Sequence, residues 1–401
     1  MVQAFTAGAV AVLVGYVSSV AIVWQALQSV GASTSQAAMA LGALSAGQGL
    51  LSLWLSVKHK TPLLFAWSTP GAAVLMTSEN ADFSVALGAF LFAAMLGMTL
   101  SLFKGLSWVM RLIPVPLASA LLAGVLLRLA MDSLSKGLHE SLLWPVLSLW
   151  FVYFLVRRFW PSSAMMFVLA LAICWSWWFQ HDNIATAGAN AETIKDLARA
   201  SVSDIDQAWQ WTAPRFEWSV LLGIGFPLFL VTLTGQNMAG LAAIKSFGYQ
   251  SNPDRLLFAA SLASALAALF GGHALNLAAI TASICLGPQA AERPEDRWKA
   301  SAWAGALYLL LACFALSVIR ILAWMNPVLV LSLASIALIG SMTAALQQAY
   351  QEKDMAQNFP QTLCLLVVLS GVNIAGLGAA FWGLCFGMLA MLVQNSKKGP
   401  E

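Results

Sequence analysis

Two apolar segments of this sequence are interrupted by residues that break helices. The first, TPLLFAWSTPGAAVL, covers residues 61–75 and has Ser-Thr-Pro-Gly at its centre, from Ser68 to Gly71. The second, FGGHALNLAAITASICLG, covers residues 270–287 and has two glycines near its start. A helix that begins at such a break presents unpaired backbone N–H groups and the positive end of its dipole. Two such ends facing each other predict a binding site for an anion that needs no cationic side chain.

The composition places both segments in a membrane. Of the 401 residues, 60% are hydrophobic and 9% are charged, whereas a soluble domain carries about 25% charged residues. We expect about fourteen apolar spans, and most reach the roughly 20 residues that a membrane-crossing helix needs. The exceptions are the two broken ones, at 62–78 and 271–287.

The sequence offers no signature of catalysis or of metal binding. The five cysteines have neither a CxxC pattern nor metal-ligand spacing. The sequence motifs include no paired-carboxylate site, no Ser–His–Asp pattern and no phosphate loop. We therefore predict no enzymatic activity, no cofactor, no metal and no nucleic-acid partner.

Each break predicts a short extended stretch followed by a half-helix. In the first, Ser68 or Thr69 can cap a helix with Pro70 at its first position, where the missing N–H costs nothing. In the second, HALNL is expected to run extended, with Asn276 capping a helix that starts at Leu277. Non-helical backbone at membrane depth must be buried in protein or line a cavity. The two extended stretches are therefore expected to pair with each other.

Faint internal similarity divides the chain into two halves. PLASALLAG at 116–124 matches SLASIALIG at 332–340 in five residues, and the two broken segments correspond at nearly the same offset. About seven spans per half is an odd number, so the halves have opposite orientations, as in the inverted repeats of secondary transporters. With the N-terminus inside, most of the 20 lysines and arginines fall in cytoplasmic loops. Both termini are therefore predicted to be cytoplasmic, and the acidic segment 181–215 lies outside.

Polar side chains on the first and eighth spans are the candidates that complete the anion site. Tyr16 and Ser19 belong to a polar stripe on the first span, and Gln236 and Asn237 follow a glycine in the eighth. The eighth span carries no acid in this region, where a buried carboxylate would raise the cost of binding an anion. The broken segments are expected to add Ser68, Thr69, Gly71, Ala274, Leu275 and Asn276. Apolar walls for a ring could come from Tyr16, Phe65, Trp67 and Leu275.

Four longer motifs closely resemble the benzoate/proton symporter family: TPLLFAWSTPGAAVL, IPVPLASALLAGVLLR, FPLFLVTLTGQNMAG and FGGHALNLAAITASICLGPQA. The resemblance covers nearly the whole chain and is weakest at 181–215. That family is similar in architecture to the uracil and xanthine symporters and to the sulfate/anion exchangers. The resemblance implies an all-α membrane protein with a seven-plus-seven inverted repeat. It also implies proton-driven uptake of benzoate across the bacterial inner membrane.

In this architecture a core domain holds the substrate and a gate domain faces it. The implied division is 1–112 and 216–325 for the two core parts, 113–180 and 326–401 for the two gate parts, and 181–215 for the extracytoplasmic connection. The expected partners are an aromatic carboxylate, a proton and the lipid bilayer, with a homodimer through the gate left open. His273, the only histidine in a broken segment, is the candidate for proton coupling. The proton could equally travel on the substrate itself.

Three alternatives remain open on the sequence alone. The same fold could carry another anion or a nucleobase. A channel would share the membrane spans but would need a continuous polar pore and no coupling. A membrane enzyme acting on lipid-linked substrates would need acidic metal-binding clusters, which the motifs do not show.

Overall fold

The protein is described by a computed structural model over residues 1–77, 82–105, 113–139, 142–161, 163–182, 211–351, 358–374 and 377–396. Most of the predicted connection 181–215 lies outside these residues. The first half contains α1 (Val2–Ser29), α2 (Thr34–His59), β1 (Phe65–Trp67), α3 (Thr69–Met76), α4 (Phe83–Leu102), α5 (Val115–His139), α6 (Leu143–Phe159) and α7 (Ala164–Asp182).

The second half repeats this order of elements. It contains α8 (Trp218–Ser246), α9 (Pro253–Ala268), β2 (Leu275–Leu277), α10 (Ile280–Leu286), α11 (Trp298–Cys313), α12 (Ala315–Trp324), α13 (Pro327–Ala349), α14 (Phe359–Ser370) and α15 (Ala379–Ser396). A half-helix that follows a short strand occurs once in each half, as the two breaks predict.

The predicted class, a helical membrane protein with two broken segments, is confirmed. Six helices in the described ranges are long and apolar enough to cross a membrane: α1, α2, α4, α5, α8 and α13. The pair α11 and α12 passes the same test together and bends by 64° at the break between them. The count of fourteen segments stays a prediction, because α14, α15 and most of α7 are shorter apolar helices.

The two extended stretches pair as expected. β1 and β2 form a two-stranded antiparallel sheet in which Ala66 lies opposite Asn276. The pairing continues beyond the strands, because Ser68 N–H donates to Ala274 O and Ala278 N–H donates to Leu64 O. This pairing satisfies the backbone hydrogen-bonding groups along one edge of each strand.

Side chains of α2 satisfy the other edge of β1. The N–H groups of every second residue are accepted by one face of the helix: Leu63 by Ser56, Phe65 by Ser52 and Trp67 by Gln48, at 2.9–3.1 Å. Four helical residues advance about 6 Å and two strand residues about 6.6 Å. The two spacings match closely enough for one helix face to bond three successive N–H groups. Serine and glutamine oxygens thus replace the water or third strand that an intramembrane sheet lacks.

The outer edge of β2 is satisfied in the same way by other helices. Leu275 N–H donates to Ser264 Oγ of α9 at 2.8 Å, and Leu277 N–H donates to Asn237 Oδ1 of α8 at 3.0 Å. Asn237 ends a π-helical turn, Leu233–Asn237, inside α8. Such turns interrupt the regular helix and often occur at functional sites. This one lies beside the sheet.

Candidate functional site

A cavity of about 130 Å³ lies where the sheet, the starts of both half-helices and helices α1 and α13 meet. Its lining comprises Val14, Gly15, Ser18, Ser19, Ile22, Gln48, Ala66, Trp67, Thr69, Gln236, Ala278, Ala279, Ile280, Thr281, Tyr308, Ala337, Leu338 and Ser341. None of these residues carries a charge. The cavity therefore offers hydroxyl, amide and backbone groups together with apolar walls.

Four of the predicted site residues line this cavity. Trp67 forms part of the wall and is held by donation from its Nε1 to Ser19 Oγ at 2.8 Å. Ser19 in turn donates to Gly15 O within α1 at 2.6 Å. Gln236 Nε2 lies 3.4 Å from Thr69 Oγ1. These contacts fix an aromatic wall next to a pair of polar side chains.

Other predicted residues support the cavity without lining it. The Ser68 hydroxyl accepts from Gly71 N and contacts Thr232 Oγ1 at 2.7 Å, so it is used inside the protein. Asn237 holds β2 through Leu277. Tyr16 packs edge-on against Trp67, with ring centroids 5.0 Å apart.

The remaining predicted residues belong to the two strands and their flanks. Phe65 is fully buried next to α2. Ala274 and Leu275 line a separate small cavity of about 30 Å³ between α4, α8 and α9. Asn276 lies in β2 and is also buried.

Two predictions about helix starts need correction. Asn276 does not cap the second half-helix, because it lies within β2, which continues to Leu277. The Nδ2 of Asn276 donates to Leu277 O at 2.8 Å. The helix α10 begins at Ile280, three residues later than predicted, and has no side-chain cap. In the first half-helix, Ser68 is the cap, as expected, but Pro70 occupies the second helical position instead of the first. Asn276 pairs within the sheet and is therefore not placed to cap the helix.

The two half-helices therefore present different numbers of backbone donors. At the start of α3, the Gly71 N–H donates to the Ser68 hydroxyl and Pro70 has no N–H. Thr69 therefore supplies the remaining backbone donor. At the start of α10 the first turn is uncapped, and Ala279, Ile280 and Thr281 all line the cavity. From the sequence, both helix starts were expected to offer several free backbone N–H groups to the site. In the structure, α10 offers more of these donors than α3.

His273 lies behind the cavity wall. Its Nε2 lies 2.9 Å from Ser68 O, and a carbonyl can only accept, so Nε2 carries the hydrogen. Its Nδ1 is buried and has no hydrogen-bond partner in the part of the chain that the structure describes. A protonated ring would need an acceptor for a second N–H, which this arrangement does not supply. Its role in coupling stays a prediction.

Several lining residues were not predicted to contact substrate. They include Gln48, Thr281, Tyr308, Ala337, Leu338 and Ser341. A signal for Gln48 was present in the sequence, because Gln48, Ser52 and Ser56 recur at intervals of four and define a polar face on an otherwise apolar helix. The lining residues on α13 carry no comparable pattern.

The cavity reaches the protein surface at Ile280, which lines it and is 72% exposed. At the C-terminal end of α1, Gln25 Nε2 lies 3.5 Å from Pro327 O at the start of α13, and Ser29 Oγ donates to Leu75 O. These contacts join α1 to α13 and to the first half-helix at that end.

Comparison with known proteins gives a consistent family. The sequence profile of the family described as "Benzoate membrane transport protein" matches residues 1–393. The chain is 33% identical to the Benzoate membrane transport protein of Acinetobacter baylyi, over 99% of this chain and 96% of that protein. It is also 33% identical to the Inner membrane protein YdcO of Escherichia coli K12, over 97% and 95% of the two chains.

Solved structures show the fold that the chain shares. The transmembrane domain of a cyanobacterial bicarbonate transporter, BicA, has a TM-score of 0.57 at 10% identity and covers 97% of each chain. The murine anion transporter Slc26a9, in an inward-facing state, has a TM-score of 0.58 at 10% identity, over 100% of this chain and 69% of that one. All these relatives and neighbours with a stated activity are transporters and not enzymes. The chain belongs to the benzoate membrane transport protein family and is a membrane transporter with the inverted-repeat fold of the bicarbonate and Slc26 anion transporters.

Proposed function

We propose that the protein takes up benzoate, or a closely related aromatic carboxylate, together with a proton across the bacterial inner membrane. The observation that carries the proposal is the cavity beside the sheet. Its volume of about 130 Å³ is close to that of cavities of about 150 Å³ that hold a benzene ring. A ring fits against Trp67 and Ile22, and the carboxylate faces the polar side formed by Thr69, Gln236 and the start of α10.

The charge of the cavity favours an anion over a cation. Its lining has no carboxylate that would repel the substrate, and the donors are neutral hydroxyl, amide and N–H groups. Fixed dipoles in a site with little water stabilise an anion by about 1 kcal/mol each at a helix start. A neutral site also allows release, because no lysine or arginine holds the anion.

The cavity lies between the half-helices and α13 and reaches the protein surface at Ile280, which supports transport by alternating access. In this proposal the site is reached from one side of the membrane at a time. Movement of the core helices against α5 and α13 would open the other side. The proposal does not route the proton through His273, because His273 does not line the cavity and its Nδ1 has no hydrogen-bond partner among the described residues.

Exchange of radiolabelled benzoate in proteoliposomes tests this function. Protein-free vesicles of the same lipid supply the background from benzoic acid that crosses lipid unaided. We expect saturable, protein-dependent influx that unlabelled benzoate inside the vesicles accelerates. Ala337→Phe puts a ring of substrate size into the cavity and should reduce this influx at least tenfold. Thr343→Phe on an exposed face of the same helix should leave it unchanged.

The alternatives give different results in the same assay. Influx that internal benzoate does not accelerate would indicate a channel. Protein-dependent influx of bicarbonate, sulfate or uracil without influx of benzoate would assign the protein another substrate of the same fold and contradict the proposal.

A further inference from the structure

Gln48 lies on α2, fully within the protein, and its amide has a fixed orientation. The side chain is 1% exposed. Its Oε1 accepts the N–H of Trp67 at 3.0 Å. Only the oxygen of an amide can accept from a backbone N–H, so the orientation of the amide is set by chemistry. The NH₂ group therefore points away from β1.

The Nε2 atom of Gln48 is buried, and among the residues that the structure describes no acceptor lies within hydrogen-bond distance of it. Gln48 nevertheless lines the cavity. Buried polar groups in folded proteins are paired in the great majority of cases. An unpaired donor at the wall of a cavity is thus a place where a ligand can supply the missing acceptor.

The neighbouring serines show that support of the strand does not require an amide. Ser52 and Ser56 hold Phe65 and Leu63 with a hydroxyl oxygen alone, and neither lines the cavity. Gln48 performs the same task for the third N–H in the series and brings an additional donor to the cavity. The NH₂ group, which β1 does not use, therefore explains why this position has glutamine and not serine.

We propose that Gln48 determines the specificity for a carboxylate by donating Nε2–H to one of its oxygens. The identification of the carboxylate as that of an aromatic acid rests on the proposed function. An ionised carboxylate is an acceptor only, and hydrogen bonds to it are about twice as strong as those between neutral groups. The bond to Trp67 holds the donor in place before the substrate arrives, which reduces the entropy lost on binding.

Gln48→Glu is the informative variant, because glutamate has the same shape and retains an oxygen for Trp67 N–H. It replaces the unpaired donor by an acceptor with negative charge. Equilibrium binding of radiolabelled benzoate to the purified full-length protein should weaken by about 10- to 100-fold at neutral pH. The matched control is Ser52→Ala, which removes a strand-holding oxygen outside the cavity and should change the affinity less than about threefold.

The pH dependence separates recognition from structural support. Protonated glutamate has an O–H donor, so benzoate binding to Gln48→Glu should recover as the pH is lowered through the mildly acidic range, where benzoate stays ionised. Among the described residues, the titratable groups at or beside the cavity include Tyr308 in its wall, Cys285 and Tyr16, which interact electrostatically with Tyr308, and His273, which lies behind the wall. Both proteins contain all four, so the difference between their pH profiles reports the introduced glutamate.

Each outcome decides the proposal. Unchanged affinity in Gln48→Glu overturns it. A loss in Gln48→Glu that matches the loss in Ser52→Ala and does not recover at low pH also overturns it, because Gln48 would then only support β1. If the wild-type protein binds bicarbonate or sulfate but not benzoate, the proposed substrate is wrong, and a pH-reversible loss of that anion in Gln48→Glu still supports the donor. Wild-type protein that binds none of the three anions contradicts both.

Discussion

Replacement of Ser56 by alanine should destabilise the protein through the loss of two hydrogen bonds to β1. The Ser56 hydroxyl accepts from Leu63 N at 3.1 Å and donates to Leu63 O at 2.9 Å. Leu63 is 1% exposed, so water cannot replace the serine at either group. A buried polar group left unpaired costs about 1–3 kcal/mol, which gives about 2–6 kcal/mol for the two. Ser52→Ala orphans one N–H group and should cost about 1–3 kcal/mol.

The free energy of unfolding in mixed micelles, measured by titration with a denaturing detergent, tests these values. Ser332→Ala is the matched control, because Ser332 is equally buried and, within the described part of the chain, its hydroxyl donates only to Val328 O of its own helix. Its removal orphans no group and should cost less than about 1 kcal/mol. If Ser56→Ala lies within about 0.5 kcal/mol of the wild type, or costs no more than Ser332→Ala, helix side chains do not hold the strand in place.

Three further predictions concern proton coupling, acid stability and orientation. His273→Gln can still donate to Ser68 O and should accumulate benzoate as the wild type does; loss of gradient-driven accumulation with binding intact would instead assign the proton to His273. The pKa of Asp82 at the start of α4 is lowered, first by the backbone N–H of Ser84 and then by its hydroxyl. The stability from this ionised cap is present above the ordinary pKa of 3.8 and is lost as the pH falls through the lowered value. Asp82→Asn should therefore remove this part of the acid-side decline, and an identical decline in both proteins would contradict the assignment. A single cysteine at Ser203, in a variant without native cysteines, should react with an impermeant maleimide added to the periplasmic side; reaction only from the cytoplasmic side would reverse the predicted topology.

The features that were predictable from the sequence depend on backbone chemistry. Two helix breaks in an apolar chain have to satisfy their freed N–H and C=O groups inside the protein, so the pairing of β1 with β2 follows from their presence. The same reasoning narrowed the cap of α3 to Ser68 or Thr69, because the residues around them form a local signal, and the structure has Ser68. Ser19, Trp67, Thr69 and Gln236 line the cavity because they lie on the elements that meet at the sheet.

The features that were not predictable depend on which way a side chain faces in three dimensions. Asn276 has the sequence character of a cap, but its position opposite Ala66 in the sheet delays the helix to Ile280. Asn237 has the polarity of a substrate ligand, but a π-helical turn directs its amide to Leu277. Gln48 is a different case, because its spacing from Ser52 and Ser56 marks a polar helix face in the sequence, but a search for breaks passes over a helix that has none. Register and helix rotation decide the cases of Asn276 and Asn237, and neither can be read from residue type.

The most direct measurement of the central claim is benzoate influx into proteoliposomes under a proton gradient. Initial rates are taken over the first seconds, and the rate into protein-free vesicles under the same gradient is subtracted, because benzoic acid also crosses lipid unaided. Proton-coupled transport predicts a saturable protein-dependent rate that rises when the outside is made more acidic than the inside. A protonophore should return that rate to its value at equal pH. A protein-dependent rate that is indifferent to the gradient, or no such rate for benzoate at all, would contradict the account.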